Sequence, residues 1–426
     1  MGKPLAAMGG PVSATDALAL IQQASPAPVI EVVALGDALG RVLATPVHSP
    51  VALPAFDNAA LDGYAVPAGA FAAGSEFDVH GCQAAGDTRI DSAVNGAARE
   101  ITTGACLPPG LATVLPVEQV DVLARAADGM AVRIRSRVSV VHGQHVRRIG
   151  EDVRRGQEVL ATGTRVQASQ LMLLSVLGMA GVTVARRPRV AVISTGRELV
   201  DAPAQPLQPG QIRNANRPFL CARLEAAGAD VVHADTVADA PEAWHSALER
   251  AMAVQADVVV STGAVSMGRH DFVPAALRHY GALLLFHKVA IRPGKPLLLA
   301  QLPNGSLYFG LPGNPVACAV GLRFFVESAL RAMLGLAEAT PQWLPLAAPL
   351  AARKPGLRHH LKAQVTLDRN GRCSVTALAG QESFRLLPMV QANAWLVPPD
   401  SGDACDVGDL VQVFGLGHET PLFGGG

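Results

Sequence analysis

Residues 257–271 read DVVVSTGAVSMGRHD. The run Val258-Val259-Val260 is continuous and apolar, the pattern of a strand covered on both faces, because a strand with one wet face alternates. It breaks into Ser261-Thr262-Gly263, and the stretch ends on Gly268-Arg269-His270-Asp271 just ahead of the helical pattern FVPAALRHY. A strand feeding a helix through a small, hydroxyl-rich turn leaves hydroxyls and free backbone N–H groups at the carboxyl edge of a sheet. Open α/β sheets hold anionic ligands at that edge.

The same grammar extends in both directions. Strand RVAVIS from Arg189 is followed by helix PFLCARLEAAG, strand ADVVHADT and helix PEAWHSALERAMA, and the quoted segment then leads through its helix to strand ALLLFHKV. Strands alternating with amphipathic helices at this spacing predict a doubly wound, mostly parallel α/β domain. Two further runs, PLLLAQL and SLYFGL, flank Pro303-Asn304-Gly305, a hairpin signal, and NPVACAVGLRFFVESALRAMLG closes the domain near residue 336. Ahead of it, residues 13–24 predict a helix capped by Ser13 or Thr15. Residues 50–147 hold short β runs with an Asp128-Gly129 turn, and a further helix is expected over 168–177. The last 90 residues, with an Asn370-Gly371 turn, read as a small separate β domain.

Composition narrows the function. At 426 residues the chain exceeds one core, so two to four domains are expected. Lys+Arg and Asp+Glu balance at 35 each, which argues against bulk nucleic-acid or membrane-surface binding. No apolar window is long enough to span a bilayer, and the N-terminus has no signal-like core. The six cysteines are scattered without a C-x-x-C pair, so free, buried thiols in a reducing cytoplasm are expected. Walker A, G-x-G-x-x-G and G-x-S-x-G motifs are absent, which removes the P-loop, dinucleotide and serine-hydrolase readings.

The strand-to-turn signature recurs: VAVISTG ends on Ser194-Thr195-Gly196, VVVSTG on Ser261-Thr262-Gly263, and LYFGLPG on Pro312-Gly313. One such glycine is an ordinary turn maker. Three, two of them preceded by Ser-Thr, point to a shared rim for a phosphate- or pterin-sized anion. The segment HKVAIRPGKP supplies Lys288, Arg292 and Lys295 around a Pro-Gly turn. It reads either as three cations aimed at one oxyanion or as a solvated basic loop. Asp57 and Asp62 in FDNAALDGYAV, Asp152, Glu198, Asp239 and Asp271 are the acidic candidates. A carboxylate or two beside ligand oxygens would suit Mg²⁺, while Asp62 before Gly63 also reads as a turn residue and Asp271 as a helix cap. His142 and His145 lie in an Arg-rich loop and read as surface or anion-contact residues.

Seven strings in order, FDNAALDGYAV, ITTGACLPPG, RRIGEDVRRG, RVAVISTGREL, STGAVSMGRHDF, KVAIRPGKP and FGLPGNPVACAV, resemble the molybdopterin molybdenumtransferase family, the MoeA proteins and the E domain of gephyrin. The resemblance implies a four-domain homodimer. Domain I would be discontinuous (1–49 and 148–185) and dimerising, domain II (50–147) β-rich, domain III (186–336) the molybdopterin-binding α/β domain, and domain IV (337–426) β-barrel-like. It implies insertion of molybdenum from molybdate into adenylylated molybdopterin with release of AMP, using Mg²⁺ or another divalent cation such as Zn²⁺. By position match, Asp62, Asp152, Glu198, Asp239 and Asp271 carry over as catalytic-site carboxylates, with Glu198 and Asp271 on the metal. Substrate contacts would come from Thr103, the two Ser-Thr-Gly turns, Ser266, Lys288, Arg292, Lys295, Pro312, Gly313, Pro315, Lys362 and Ser383. Transient contacts with molybdopterin adenylyltransferase and apo-molybdoenzymes are also implied. A non-catalytic cofactor scaffold and a molybdopterin adenylyltransferase are the competing readings. The chain departs from the family pattern at Arg197, where Asp or Asn is common, and at Ala264, Arg292 and Lys362.

Overall fold

A computed structural model describes residues 10–94, 96–265 and 272–418. The chain folds as two compact units. One comprises residues 1–44, 163–167 and 183–426, and the other residues 45–162 and 168–182.

The larger unit is built on a six-stranded sheet. Its spatial order is Asp230–Val237, Arg189–Thr195, Val258–Thr262, Leu307–Leu311, Leu298–Gln301 and Leu283–His287. The first four are mutually parallel; Leu298–Gln301 runs antiparallel to both of its neighbours. The expected hairpin thus lies inside an otherwise parallel sheet, and its reversal returns Leu283–His287 to the common direction. Val258, Val259 and Val260 are each fully buried. Their alternation feeds two cores: Val190, Val192, Val258, Val260 and Phe309 face one, while Ala191, Ile193, Val259 and Tyr308 face the other. In the second core Trp244 Nε1 donates to the Tyr308 hydroxyl at 2.8 Å, satisfying two polar atoms that burial would otherwise strand.

Helix Ala14–Ala24 forms as predicted, with the Ser13 side chain accepting from the Asp16 N–H at 3.0 Å. Its buried Ala17 and Ile21 join the first core. The closing helical segment is interrupted: Pro315–Gly321 and Glu327–Met333 flank a π-helical turn, Leu322–Val326. Beyond it, Gln342–Pro345, Leu410–Gly415, Ala394–Val397, Leu361–Leu367 and Cys373–Ala377 form an antiparallel sheet in that order. A bridge between Leu346 and Val375 joins its two ends, giving the barrel-like closure expected. Asn370-Gly371 makes the Leu361–Leu367 to Cys373–Ala377 hairpin, with Gly371 at φ 76°.

The smaller unit carries a six-stranded sheet between Gly63 and Ser136. Its Val120–Arg125 to Ala131–Ser136 hairpin turns at Asp128-Gly129. Helix Ala168–Val176 follows the expected span. The cysteines depart from expectation: only Cys318 and Cys405 are buried, and Cys82 is exposed. Cys82 lies near the end of the Glu76–Gln83 strand, whose residues alternate between buried and exposed up to Gly81.

Candidate functional site

The register of the parallel strands aligns their carboxyl ends. Ser194 pairs with Thr262, and Thr262 with Leu311, so the turns after these strands form one rim. Thr195 Oγ1 donates to the Thr262 carbonyl at 3.0 Å, and the Gly263 N–H donates to the Leu311 carbonyl at 3.1 Å. Gly263 is required twice over. Its φ is +87°, and a Cβ there would sit 2.6 Å from the Thr195 carbonyl oxygen. A Cβ on Gly313 would lie 4.0 Å from the Gly263 Cα, so the third turn abuts the second. Ser194, Thr195, Ser261 and Thr262 are all buried in the rim, and the Ser194 hydroxyl has no protein partner.

Because Leu283–His287 runs parallel with the central strands, its carboxyl end delivers Lys288, Arg292 and Lys295 to this same edge. The segment is anchored rather than loose. His287 Nε2 lies 2.8 Å from the Val265 carbonyl, and the Lys288 carbonyl accepts from the Val12 N–H at 3.1 Å. Ile291–Arg292 pairs in parallel with Arg358–His359. The rim and the basic segment therefore share one edge, at which Arg292 and Lys295 are exposed and Lys288 is half-buried.

Glu198 lies just past the first turn. Its carboxylate folds against Gly196, where a Cβ would meet both carboxylate oxygens at 2.8 Å. Asp239 is exposed at the end of the neighbouring strand Asp230–Val237. Ser266 and Asp271 lie outside the described residues. Helix Val273–His279 starts with Phe272 in the cap position and no side-chain cap.

A cavity of about 740 Å³ opens beside the basic segment, lined in part by Arg292, Pro293, Arg353, Lys354, His359, His360 and the Gly380–Phe384 turn with Ser383. The turn is fixed to the α/β part by the Val316 N–H, which donates to the Ser383 carbonyl at 3.0 Å. Lys362 takes a different place from the one its position match implied. It is fully buried, and its Nζ donates to the carbonyls of Gly380 at 2.6 Å and of Glu382 and Arg385 at 3.2 Å. Its ammonium holds the turn that carries Ser383, and burial lowers its pKa.

The remaining candidates lie in the smaller unit. Asp62 Oδ1 accepts from both the N–H (2.6 Å) and the hydroxyl (2.8 Å) of Thr103. These bonds, the backbone one first, hold its carboxyl below the usual range. Asp62 thus organises the Thr102-Thr103-Gly104 turn. Asp57 does the same for the next loop, accepting from the Ile149 N–H at 2.8 Å and from Arg148 at 2.7 Å. Asp152 is exposed, its N–H donating to the Leu53 carbonyl.

The chain matches three family models in order: the MoeA N-terminal region (domain I and II) over residues 12–178, a probable molybdopterin binding domain over 191–332, and the MoeA C-terminal region (domain IV) over 344–416. It is 36% identical to a molybdopterin molybdenumtransferase of Synechococcus elongatus, covering 95% of this chain and 99% of that one. The chain belongs to the MoeA family of molybdopterin molybdenumtransferases. A Bacillus subtilis molybdopterin molybdenumtransferase is 32% identical over 92% of this chain and 90% of its own. A molybdopterin biosynthesis MoeA protein from Pyrococcus horikoshii superposes with a TM-score of 0.78 at 28% identity, covering 96% and 99%.

Within this MoeA chain, several site-bordering residues had escaped the sequence reading. Asn216 Nδ2 donates to the Gly313 carbonyl at 2.8 Å, tying the start of helix Asn216–Ala226 to the third turn. Asn214, nearly buried, donates to Thr236 Oγ1 and accepts from the Arg217 N–H. Both stand in RNANRP, and paired asparagines just before a helix were the available signal. His359 and His360 were also missed, although the dipeptide heads a β run.

Proposed function

We propose that the protein inserts molybdenum from molybdate into adenylylated molybdopterin and releases AMP, with a divalent cation assisting. The observation that carries this reading is the sharing of one sheet edge by the two Ser-Thr-Gly turns, the Pro-Gly turn and the Lys288–Lys295 basic segment, with an adjoining cavity lined by Arg292 and Ser383. A neutral chain that handles a pyrophosphate and an oxyanion needs such local positive charge, and fixed donors stabilise developing charge without reorganisation.

The assigned roles follow from placement. The rim, where the buried Ser194 hydroxyl has no protein partner, would receive the pterin phosphate, Lys288 and Lys295 the pyrophosphate, and Arg292 with Ser383 the molybdate. Lys362 would act beneath them by holding the Ser383 turn. By the resemblance, Asp62, Thr103 and Asp152 would be presented to the cleft of a partner subunit, and Asp239 would border the rim. Among the described residues no three His, Cys, Asp or Glu side chains cluster as a metal cage. By the resemblance, Glu198 and Asp271 would hold Mg²⁺, which binds through one or two carboxylates plus substrate phosphate oxygens. Such an ion would neutralise phosphoanhydride charge. We further propose the four-part division 1–49 with 148–185, 50–147, 186–336 and 337–426, and a homodimer formed through the apolar strand that leaves Ile30 and Val32 exposed.

Purified protein mixed with adenylylated molybdopterin, Mg²⁺ and molybdate should release AMP only when molybdate is present. Release that ignores molybdate, or none at all, would refute the transferase reading and favour a scaffold. Consumption of ATP with free molybdopterin would instead indicate an adenylyltransferase.

A further inference from the structure

The cavity beside Arg292 contains a group that the oxyanion reading leaves unused. His359 is 7% exposed, and its Nε2 is buried without a hydrogen-bond partner. A buried imidazole nitrogen with nothing to bond to carries a desolvation cost that a ligand could relieve. The ring's other nitrogen is engaged, since the Lys354 carbonyl accepts from it. That contact favours the neutral tautomer in which Nδ1 carries the proton and Nε2 a lone pair.

The groups around this ring come from every element packed on it. Arg292 is on the paired strand, Arg353 and Lys354 on the preceding loop, Asp400 on the loop after Ala394–Val397, Glu382 on the opposing turn, and Arg358 and His360 on its own strand. Burial first, and then Arg353 and Arg292, press His359 below its ordinary value, against the Lys354 carbonyl and Asp400. These influences favour the neutral ring. A neutral Nε2 cannot donate to an oxyanion; a protonated one can. A dianion entering among these cations reverses the local field and removes the reason for the ring to stay neutral.

We propose that His359 couples proton uptake to oxyanion occupancy: as a tetrahedral dianion enters, Nε2 takes one proton from solvent and donates it as a charge-assisted hydrogen bond to an oxyanion oxygen. The inference rests on the oxyanion reading of this cavity. It makes His359 a binding residue that sets the pH range of oxyanion loading, a role for which its position had given no hint.

The sign follows from linkage. Because occupancy raises the histidine's pKa, affinity strengthens as pH falls, by about tenfold per pH unit between the bound-state and free-state values, and levels off outside them. The test is calorimetric titration of the full chain with sodium molybdate, and separately with tungstate, from about pH 5.5 to about pH 8.5, a range bracketing the ordinary histidine value. Each titration is run in two buffers of different ionisation heat. Wild type should take up one proton per oxyanion bound, and His359→Gln should bind with a flat pH profile and no uptake. An unchanged slope in His359→Gln, or no uptake by wild type, overturns the role of His359 while leaving the cavity reading standing. No binding by wild type, or binding insensitive to both Arg292→Ala and Arg353→Ala, overturns the cavity reading and this inference with it. If His359→Gln does not fold, NMR titration of the wild-type ring decides: molybdate should raise its pKa, and an unmoved ring refutes the proposal.

Discussion

Gly263→Ala tests whether the rim is as tightly built as its geometry states. The substitution meets two obstacles at one atom. At φ +87° an L side chain is strained, by about 1–2 kcal/mol. The new Cβ would also lie 2.6 Å from the Thr195 carbonyl oxygen and 2.7 Å from Thr195 Oγ1. Both atoms are fixed, because Thr195 belongs to a buried strand and its hydroxyl is committed to the Thr262 carbonyl. Relieving that overlap must move the strand ends, at a cost of about 1–3 kcal/mol by analogy with overpacked cores. The sum is about 2–5 kcal/mol. Gly305→Ala supplies the control within the same sheet: φ is +90°, but nothing lies within 4 Å of its Cβ, so only the strain of about 1–2 kcal/mol applies. Urea unfolding can be followed by fluorescence with Trp244 as a reporter, since it is buried against Tyr308 on this sheet. The two variants should differ by about 1–3 kcal/mol at a common denaturant slope. Equal destabilisation would show that the contact with Thr195 carries no weight, and the argument for a rigid rim would fail.

Lys362→Met should lower stability by about 2–4 kcal/mol, measured by urea midpoint, since it strands three carbonyls that now receive a buried ammonium. A role in oxyanion contact alone would leave stability near wild type. Asp57→Asn should flatten the acid limb of stability in the smaller unit. The folded carboxyl is depressed below 3.8 by the Ile149 N–H and then by Arg148. Its contribution is therefore present above the unfolded value and lost as pH falls through the lower folded value; acid unfolding followed by far-UV circular dichroism checks this. Glu327→Ala removes a fully buried carboxylate that faces Arg223, Arg323 and the His418 N–H. It should cost about 3–5 kcal/mol, with the Arg323→Met, Glu327→Ala double variant recovering part of it. Asp271→Ala should abolish molybdate-dependent AMP release while the urea midpoint holds; normal turnover would remove Asp271 from the site.

The α/β unit was legible because its strands are buried on both faces, so burial is written as uninterrupted apolar runs such as Val258-Val259-Val260. The Ser261-Thr262-Gly263 turn was legible for a related reason: a turn crowded against Thr195 at positive φ accepts only glycine, and that constraint shows in the letters. Side-chain destinations were less so. Lys362 reads as a cation, and cations are ordinarily wet, but its burial depends on three carbonyls that residues 380–385 supply only once that turn has folded over it. Its charge therefore acts on the cavity through the turn that presents Ser383. His359 was hidden by the converse logic. A histidine in a β run resembles any satisfied core histidine, and only the missing partner at Nε2 marks it out. Missing partners have no sequence signature, because they are properties of the space between elements. The cavity walls come from residues 292–293, 352–354, 359–361 and 380–384, segments that are not contiguous in the chain. Local patterns can name the cations that reach such a site. Which of them end up facing the ligand, and which hold the wall from behind, is decided by packing.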